Sequence, residues 1–581
     1  MQRADYSYSH SQLDYADNST CALGTDAVNM RGNEPNSDRN SYMSNTRSAI
    51  LTAAAAISMA MTGCAPLKHW WHNDFKVGPN YCRPGAPVAD QYRDSPAESI
   101  QPEVAVEAQW WHVFQDPELD RLIQQAYDQN LTLKAAAWRI TEARAIRRIA
   151  AASLLPQSQT AYGQYAHTQN SRNAGAAFPG LPITIDDWTT GLDVGWELDV
   201  WGRIRRNVTA ADAQVLAAVK DYDFAVVSLL GEVASAYIQI RSIDERLELA
   251  RKNVKLQEGS LDIATVRFNE GREPKLDVVQ ADSNLAATQA LIPQLELARR
   301  QAHNALALLL GIPAPDFEVL PPGKIPVIPT ELLVGIPAEL LMRRPDIQSA
   351  ERLMAAQFEQ IGIAHADLYP TFSLSGTLGL QSAQLSSLFN GQSFAGTIAP
   401  AFRWNVLNYG RLRDAIRVEE ARFQQIKWDF QNKVLDAQRE VEDGIAEFIK
   451  LNEQYIFTSK QADANDEAVE LSLALYKEGK QDFGRVFVVQ STLVQAQDQV
   501  VTLKGNIAQS VIKTYKALGG GWEVRMSGGP QVSFEEFFPD GVVPSDLPIM
   551  PEDIDALGTV EAAEPLEAEV LSSDQTVVEG S

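Results

Sequence analysis

The 581-residue sequence predicts an α+β membrane protein made of two structural repeats, each with two transmembrane β-strands and long coiled-coil-like helices. The first observation is an alternation over residues 192–200, where the even positions are apolar and Asp193, Glu197 and Asp199 occupy odd positions. Period two predicts a strand, and such a strand suits lipid on one face and a wet lumen on the other. The second observation is a helical period that starts near Arg203 and lasts about sixty-five residues. Both patterns return about 208 residues later, which is the third observation.

The repeat is anchored by glycines. Gly202, which ends the first alternating segment, corresponds to Gly410, and Asn269-Glu270-Gly271 corresponds to Lys477-Glu478-Gly479, both 208 residues apart. Val278-Val279-Gln280 returns as Val488-Val489-Gln490 at a spacing of 210. Anchors that keep their spacing over a long stretch predict two copies of strand, loop, strand, long helix, turn and helix. We expect Gly202 and Gly410 to join the barrel strands to the helices.

The predicted elements follow in chain order. The first repeat, residues 110–311, has strands at about 156–168 and 187–201 and long helices over about 203–310. A proline-rich connector, the equatorial region, follows at 312–345. The second repeat, residues 346–522, has strands at about 370–382 and 396–408 and long helices over about 411–518.

The helical segments are long enough to form rods. Apolar residues step by three and four from Val226 to Val254 and again 208 residues later, which predicts a heptad seam. About sixty-five residues at 1.5 Å each span roughly 100 Å, far more than a globular core needs. Gly271 and Gly479 interrupt the two rods, so each is expected to turn at a tip and return.

Composition excludes some classes of protein. A net charge of −25 argues against nucleic acid as a partner. Much of that charge lies in residues 523–581, which carry no Lys or Arg after Arg525 and thirteen Asp or Glu after residue 527. Such a block predicts an acidic, disordered tail.

Residues 1–63 form a leader and signal segment. From Met43 an arginine and an apolar stretch lead to Thr62-Gly63-Cys64, which resembles a bacterial lipoprotein signal. The resemblance implies a covalent lipid, a diacylglycerol with an N-acyl chain, on Cys64, and makes 64–109 a lipid-anchored linker. A short buried helix that happens to end in Cys64 is the alternative. Translation can start at Met1 or Met43, and we favour Met43.

Four short motifs follow the signal segment: Val77-Gly78-Pro79-x-Tyr81-x-Arg83-Pro84, Trp110-Trp111, Asp116-Pro117-x-Leu119 and Arg343-Arg344-Pro345-Asp346. They resemble motifs of the outer-membrane efflux proteins, relatives of TolC, and specifically of their NodT-type lipoprotein branch. The resemblance runs from about Cys64 to Trp522. It implies a homotrimer in the outer membrane that extends into the periplasm. It also implies a periplasmic adaptor (membrane fusion) protein and an inner-membrane pump, for which we expect the proton-driven type.

Four strands cannot close a barrel alone. An open sheet edge in lipid leaves backbone groups unpaired at several kcal/mol each, so the edges must be shared between copies. Three copies give a twelve-stranded β-barrel that encloses a lumen, continued by a periplasmic α-helical barrel. We expect Asp193, Glu197, Asp199, Arg403 and Asn405 to line the outer pore, and the acidic rings to favour cations.

The helical tips are the candidate periplasmic gate. In the family the second-repeat tip commonly carries an aspartate ring, but that position falls on Val488 here. We therefore expect a hydrophobic constriction at Val488, with Phe487 as a second contributor. Asp277 matches the first-repeat pattern, and we expect Arg485 to pair with it or with Asp482. The alternative is that these are ordinary solvated tip residues.

The function that these parts predict is the exit duct of a tripartite efflux system for small toxic compounds, in contact with outer-membrane lipid. Two alternatives remain open: a TolC-type duct for protein secretion, and a non-conducting lipid-anchored coiled-coil scaffold. No pattern indicates an enzyme, a cofactor or a metal. His69-Trp-Trp-His72 has metal-ligand spacing, but its place just after the lipid anchor favours interfacial anchoring.

Overall fold

The computed structural model describes residues 70–527, apart from gaps at 95, 98, 102–108, 172–183, 336 and 338–342. The predicted leader, Cys64, His69 and residues 528–581 of the acidic tail lie outside the described residues.

In the described chain, groups of two or three helices alternate with pairs of strands. The helices are α1 (Pro117–Gln129), α2 (Leu131–Ala152), α3 (Arg203–Asn269), α4 (Lys275–Leu309), α5 (Pro345–Ala366), α6 (Arg411–Lys477) and α7 (Phe483–Ala517). The main strands are β1 (Ser158–Gln169), β2 (Thr184–Leu198), β3 (Thr371–Ser382) and β4 (Phe394–Arg403). Short elements are the 3-10 helices Trp110–Phe114, Gly391–Ser393 and Trp522–Ser527, the helical turn Leu385–Leu388, and a parallel pair of two-residue strands, Ile100–Gln101 and Leu332–Leu333.

The two repeats match in length almost element by element. Helices α3 and α6 each have 67 residues, α4 and α7 each have 35, and α2 and α5 each have 22. Because α4 begins at Lys275 and α7 at Phe483, the spacing of 208 also holds beyond the tip turns. The two Val-Val-Gln triplets, which are 210 residues apart, therefore do not occupy corresponding positions, and their match as repeat anchors was wrong. The structural counterpart of Val488 is Gln280, and that of Asp277 is Arg485.

The four strands form one antiparallel sheet in the order β1-β2-β3-β4, and β1 and β4 have no neighbour on their outer edges among the described strands. The register separates two faces. The largely apolar face carries Trp188, Leu192, Val194, Trp196, Leu198, Phe372, Leu374, Leu378, Leu380, Phe394, Ile398 and Phe402. Ile398 and Phe402 are 81% and 71% exposed, so the described residues leave this face open at β4.

Two strands were predicted to extend too far at their C-terminal ends. β2 ends at Leu198 rather than near 201, and β4 ends at Arg403 rather than near 408. The backbone N–H of Val200 donates to the Leu198 carbonyl, and that of Val406 donates to the Trp404 carbonyl. These are three-residue turns of the kind that is common at strand ends. They place Asp199 and Asn405 beyond the strands on which the sequence pattern had put them.

Each long helix is covered by two shorter helices that meet end to end. Asn130 caps α2 through the Leu133 N–H, and its Nδ2 donates to the Leu309 carbonyl at the end of α4 (2.8 Å). In the second repeat Arg344 has the matching place, because its Nη1 donates to the Ala517 carbonyl at the end of α7 (2.8 Å). The stacked pairs α2/α4 and α5/α7 thus extend along α3 and α6.

Arg344 explains part of the inter-repeat motif. Its guanidinium is buried, forms two hydrogen bonds with Asp346 (3.1 and 2.9 Å) and one with Glu440 (2.8 Å). A planar fork suits this bidentate geometry, which the ammonium of lysine cannot reproduce. The motif is therefore a structural junction between α5, α6 and α7.

The main core lies where the stacked helices meet. Trp110 stacks on Tyr515 with ring centroids 5.7 Å apart, and Asp116 caps α1 and accepts a hydrogen bond from Tyr237 Oη (2.6 Å). Helix α3 contains a window apolar enough to cross a membrane, but 61% of that window is buried inside the chain. Its apolar residues from Val226 to Ile243 belong to this core.

Candidate functional site

The polar face of the sheet is the candidate pore wall. Asp193 lies opposite Thr160 and Thr377, and Glu197 lies opposite Ser373. Other members of this face are Tyr162, Gln164, Asp187, Thr189, Ser375, Gln381, Thr397 and Arg403. The structure thus brings Asp193, Glu197 and Arg403 onto one surface, as a pore lining requires.

Asp199 has a different role from the one that the alternation predicts. Its carboxylate accepts hydrogen bonds from the backbone N–H groups of Ile204 and Arg205, both at 2.9 Å, and pairs with the Arg205 guanidinium. A carboxylate at this place satisfies free N–H groups and complements the helix dipole. The side chain is only 8% exposed. Asp199 therefore caps α3, and its placement on the pore wall was wrong.

The joints between sheet and helices are glycines. Gly202 directly precedes α3 and Gly410 directly precedes α6, with φ angles of 82° and 87°. Residues with a Cβ rarely adopt this conformation. Glu197 forms an ion pair with Arg203 across the first joint (2.6 Å). Asn405 is an exposed residue just before the second joint, two residues beyond the end of β4, so its placement on a strand was wrong.

The N-terminal segment is held against the first joint by Arg206, which is 1% exposed. Its guanidinium donates to the carbonyls of Val77 (2.8 Å), Gly78 (3.0 Å) and Pro79 (2.9 Å) and pairs with Glu359 (2.7 Å). The Val-Gly-Pro motif that carries the family resemblance is therefore the backbone that this arginine binds.

Several aromatic rings pack together beside the first joint, at Gly202. Trp70 contacts Phe75 and Trp201, and Trp201 stacks on Tyr369 with centroids 4.7 Å apart. At the opposite end of the sheet the ring centroids of Trp188 and Tyr165 are 4.3 Å apart. Aromatic residues at both ends of a membrane sheet are typical of the two interfaces. Trp70 lies six residues after Cys64 in the sequence, so the described chain begins at this level.

The tip contains a pair that sequence reasoning missed in part. Tyr476 at the end of α6 donates from Oη to Asp277 Oδ2 at the start of α4 (3.1 Å). Tyr476 is fully buried and Asp277 is 5% exposed. Burial raises the pKa of the Asp277 carboxyl, and the nearby carboxylates of Glu273 and Asp482 raise it further, although the bond from Tyr476 opposes them. The sequence signal for Tyr476 was its place just before the repeated Lys477-Glu478-Gly479.

The other predicted gate residues lie close by. Asp482 caps α7 by accepting from the Arg485 backbone N–H (3.2 Å), and among the described residues the Arg485 guanidinium forms no ion pair. Phe487 packs against the tip core, whereas Val488 is 53% exposed. The structure of one chain thus joins Asp277 to α6 but leaves Val488 on the surface.

Polar side chains continue the contact between the two helical pairs above the tip. Gln490 on α7 donates to Ser260 Oγ on α3 (2.7 Å) and accepts from Asn284 on α4 (3.2 Å). One level higher, Asn253 donates to Gln497 (2.8 Å). Between these levels Gln257 is 1% exposed, and neither atom of its amide has a partner among the described residues.

Replacing Gln257 by leucine should therefore stabilise the protein, because a buried, unpaired amide costs about 1–3 kcal/mol. The matched control is Gln490→Leu, which should lower stability because Ser260 and Asn284 lose their partner. Thermal and denaturant unfolding of the purified protein measures both effects. A Gln257→Leu variant less stable than the wild type would contradict the expectation.

Within the described part of the chain, no group of three or more His, Cys, Asp or Glu side chains is placed to hold a metal ion. His72 is described, but its predicted spacing partner His69 is not.

Comparison with known proteins adds an independent observation. The family model described as outer membrane efflux protein matches residues 122–312 and 336–520. The toluene efflux pump outer membrane protein TtgF of Pseudomonas putida is 31% identical over 473 residues, covering 81% of this chain and 96% of the relative. Nodulation protein T of Rhizobium leguminosarum bv. viciae is 28% identical, covering 82% and 95%. The probable outer membrane lipoprotein SilC of Salmonella typhimurium is 29% identical, covering 77% and 95%.

A solved structure, the outer-membrane channel OprN, superposes with a TM-score of 0.73 at 31% identity and covers 77% of this chain and 99% of that channel. The match covers nearly all of that channel, and the family model covers both repeats, so the predicted TolC-like arrangement of barrel strands and long helices is confirmed. The chain belongs to the outer membrane efflux protein family, and it is an outer-membrane channel component of an efflux system.

Proposed function

We propose that three copies of this chain form the exit duct of a tripartite efflux pump that exports small toxic compounds. The observation that carries the proposal is the two-faced sheet with open outer edges, attached by glycine joints to two long helical pairs. Pairing of β4 of one copy with β1 of the next removes every edge and gives twelve strands, with Asp193, Glu197 and Arg403 facing the lumen.

The partners of this duct follow from its family. Channels of this family work with a periplasmic adaptor and an inner-membrane pump, and we propose the proton-driven type of pump. We further propose that Cys64 carries the lipid that anchors each copy, which SilC, a relative named as a lipoprotein, supports. The duct is proposed to catalyse no reaction. Export of small compounds is favoured over protein secretion because TtgF is named for toluene efflux.

We propose two elements that close the periplasmic end. One is the latch formed by Asp277 and Tyr476, which ties the first repeat to the second inside each chain. The other is a ring of Val488 side chains, assisted by Phe487, because exposed valines can meet around a threefold axis and exclude water. Asp482 and Arg485 support the turn that positions this ring.

Planar-bilayer recording of the purified trimer tests the proposal. We expect discrete conductance steps, with the low open fraction of a channel that rests closed. A protein that inserts as a trimer but never conducts, even after the latch is removed, would instead be the lipid-anchored scaffold.

The charge of the pore wall should set ion selectivity. Asp193→Asn combined with Glu197→Gln should reduce the preference for cations, because both carboxylates lie on the polar face of β2. The reversal potential in a salt gradient measures this preference. Asp199→Asn is the control: its carboxylate caps α3, so it should change stability and leave selectivity unaltered. Unchanged selectivity in the double variant would remove these carboxylates from the pore wall.

A further inference from the structure

Arg267, in the last turn of α3, contacts two other segments of the tip, the end of α6 and the first tip turn. Its Nη1 donates to the carbonyl of Lys477 at the end of α6 (2.8 Å), and its Nη2 donates to Glu273 in the first tip turn (2.8 Å). Its guanidinium carbon also lies 5.1 Å from the centre of the Tyr476 ring. With a side chain only 12% exposed, Arg267 is fixed in place by these contacts.

Two of these contacts act on the second-repeat helix α6. A cation at the end of a helix complements its dipole and satisfies a free carbonyl, here that of Lys477. The same cation over the face of Tyr476 holds the ring in a position where its hydroxyl reaches Asp277. Glu273 in turn orients the guanidinium between them.

The tip turn of the second repeat is shaped around this arginine. Gly479 has a φ of 74°, and a Cβ built on it would lie 3.2 Å from Arg267 Nη2. The arrangement is not repeated, because the residue 208 positions later is Leu475, whose side chain cannot form the same bonds. The second repeat therefore has no guanidinium at the place that Arg267 occupies in the first.

We propose that Arg267 is a positioning residue for the latch: it locks the end of α6 to α3, so that Tyr476 is held on Asp277 and the duct stays closed. The inference rests on the proposed function, since it concerns the closed state of that duct. Opening then requires the Arg267 contacts to break together with the bond between Tyr476 and Asp277.

The test compares Arg267→Met and Arg267→Lys with Arg272→Met. Arg272 is a matched control, because it lies in the same tip with an exposed ion pair to Glu270 and touches neither latch residue in the described structure. We expect Arg267→Met to raise the open fraction in bilayers about tenfold or more, the shift expected from losing a charge-assisted hydrogen bond. Arg267→Lys keeps the charge but not the fork, so its effect should be intermediate. Arg272→Met should behave as the wild type.

A residue that acts through Tyr476 gives a distinctive result in combination. Arg267→Met added to Tyr476→Phe should increase the open fraction little beyond Tyr476→Phe alone. Fully additive effects would overturn the inference. If Arg267→Met does not assemble, the same comparison with Arg267→Lys decides the question.

Amide hydrogen exchange of the tip separates this inference from the proposed function. Faster exchange over residues 470–479 in Arg267→Met, but not in Arg272→Met, supports the positioning role even in a protein that does not conduct. Equal exchange in both variants overturns that role. Absence of conductance in the wild type and in every latch variant counts against the duct, not against the contacts of Arg267.

Discussion

Arg206→Met should lower the free energy of unfolding by about 3–5 kcal/mol, because it leaves a buried carboxylate and three backbone carbonyls without their partner. Arg206 is 1% exposed and pairs with Glu359, whose side chain is 11% exposed. Methionine fills a similar volume, so the loss comes from unpaired polar groups rather than from a cavity. Denaturant unfolding of the wild type and the variant measures the difference.

The control for this prediction is Arg147→Met. Arg147 forms an ion pair with Asp212 at 2.6 Å, but both side chains are 47% exposed, and exposed pairs contribute at most about 1 kcal/mol. Adding Glu359→Met to Arg206→Met should restore part of the stability, since an apolar pair replaces a broken ionic one. A loss as small as that of Arg147→Met would show that Arg206 is not essential to the joint.

Loss of Arg206 should also release the N-terminal segment. The backbone of Val77, Gly78 and Pro79 is bound by this guanidinium, and the segment leads back toward the proposed lipid anchor. Limited proteolysis should therefore cleave the variant near residues 77–79 faster than it cleaves the wild type.

The helices and joints could be predicted from the sequence because their signals are local. An uninterrupted three-four spacing predicted α3 and α6 within a few residues of their ends, and glycines marked both joints. Alternation likewise predicted that Asp193 and Glu197 share a face. These properties depend on neighbours in the chain, which a single sequence displays.

The role of Asp199 could not be predicted in this way. The alternating pattern continues past Leu198 in the sequence. The strand itself ends there because of the turn at Val200 and because the carboxylate of Asp199 binds the free N–H groups of α3. The match of Val488 with Val278 failed for a related reason. It relied on the shared triplet Val-Val-Gln, whereas the two tip turns have equal lengths and keep the spacing at 208. Neither Tyr476 nor Arg267 was predicted, since their contacts depend on how distant helices pack.

Breaking the latch should open the duct. Tyr476→Phe removes the only hydroxyl that donates to Asp277 in the described structure and leaves a buried carboxylate without that bond. Such a group costs at least about 1–3 kcal/mol, so the closed state should lose roughly ten- to hundredfold in population. Single-channel recording measures the open fraction. If Val488→Gly opens the channel and Tyr476→Phe does not, the valine ring is the main closure.

Acid should tighten the same latch. Burial, with Glu273 and Asp482 nearby, raises the pKa of Asp277 in the closed tip, and opening into water returns that pKa toward its ordinary value. The closed state therefore binds the proton more tightly than the open state. Its added stability is complete below the open-state pKa and is lost as the pH rises through the closed-state pKa. The open fraction should fall as the periplasmic side is acidified through this window.

Asparagine at position 277 separates this mechanism from a general effect of acid. Its amide oxygen can still accept the bond from Tyr476, but it carries no charge and does not titrate. Asp277→Asn should therefore stay closed at neutral pH and show no acid dependence, whereas Asp277→Ala should leak at every pH. An acid response that persists in Asp277→Asn would assign the titration to another group. If Asp277→Asn leaks as much as Asp277→Ala, the negative charge of Asp277, rather than its hydrogen bond with Tyr476, holds the tip together.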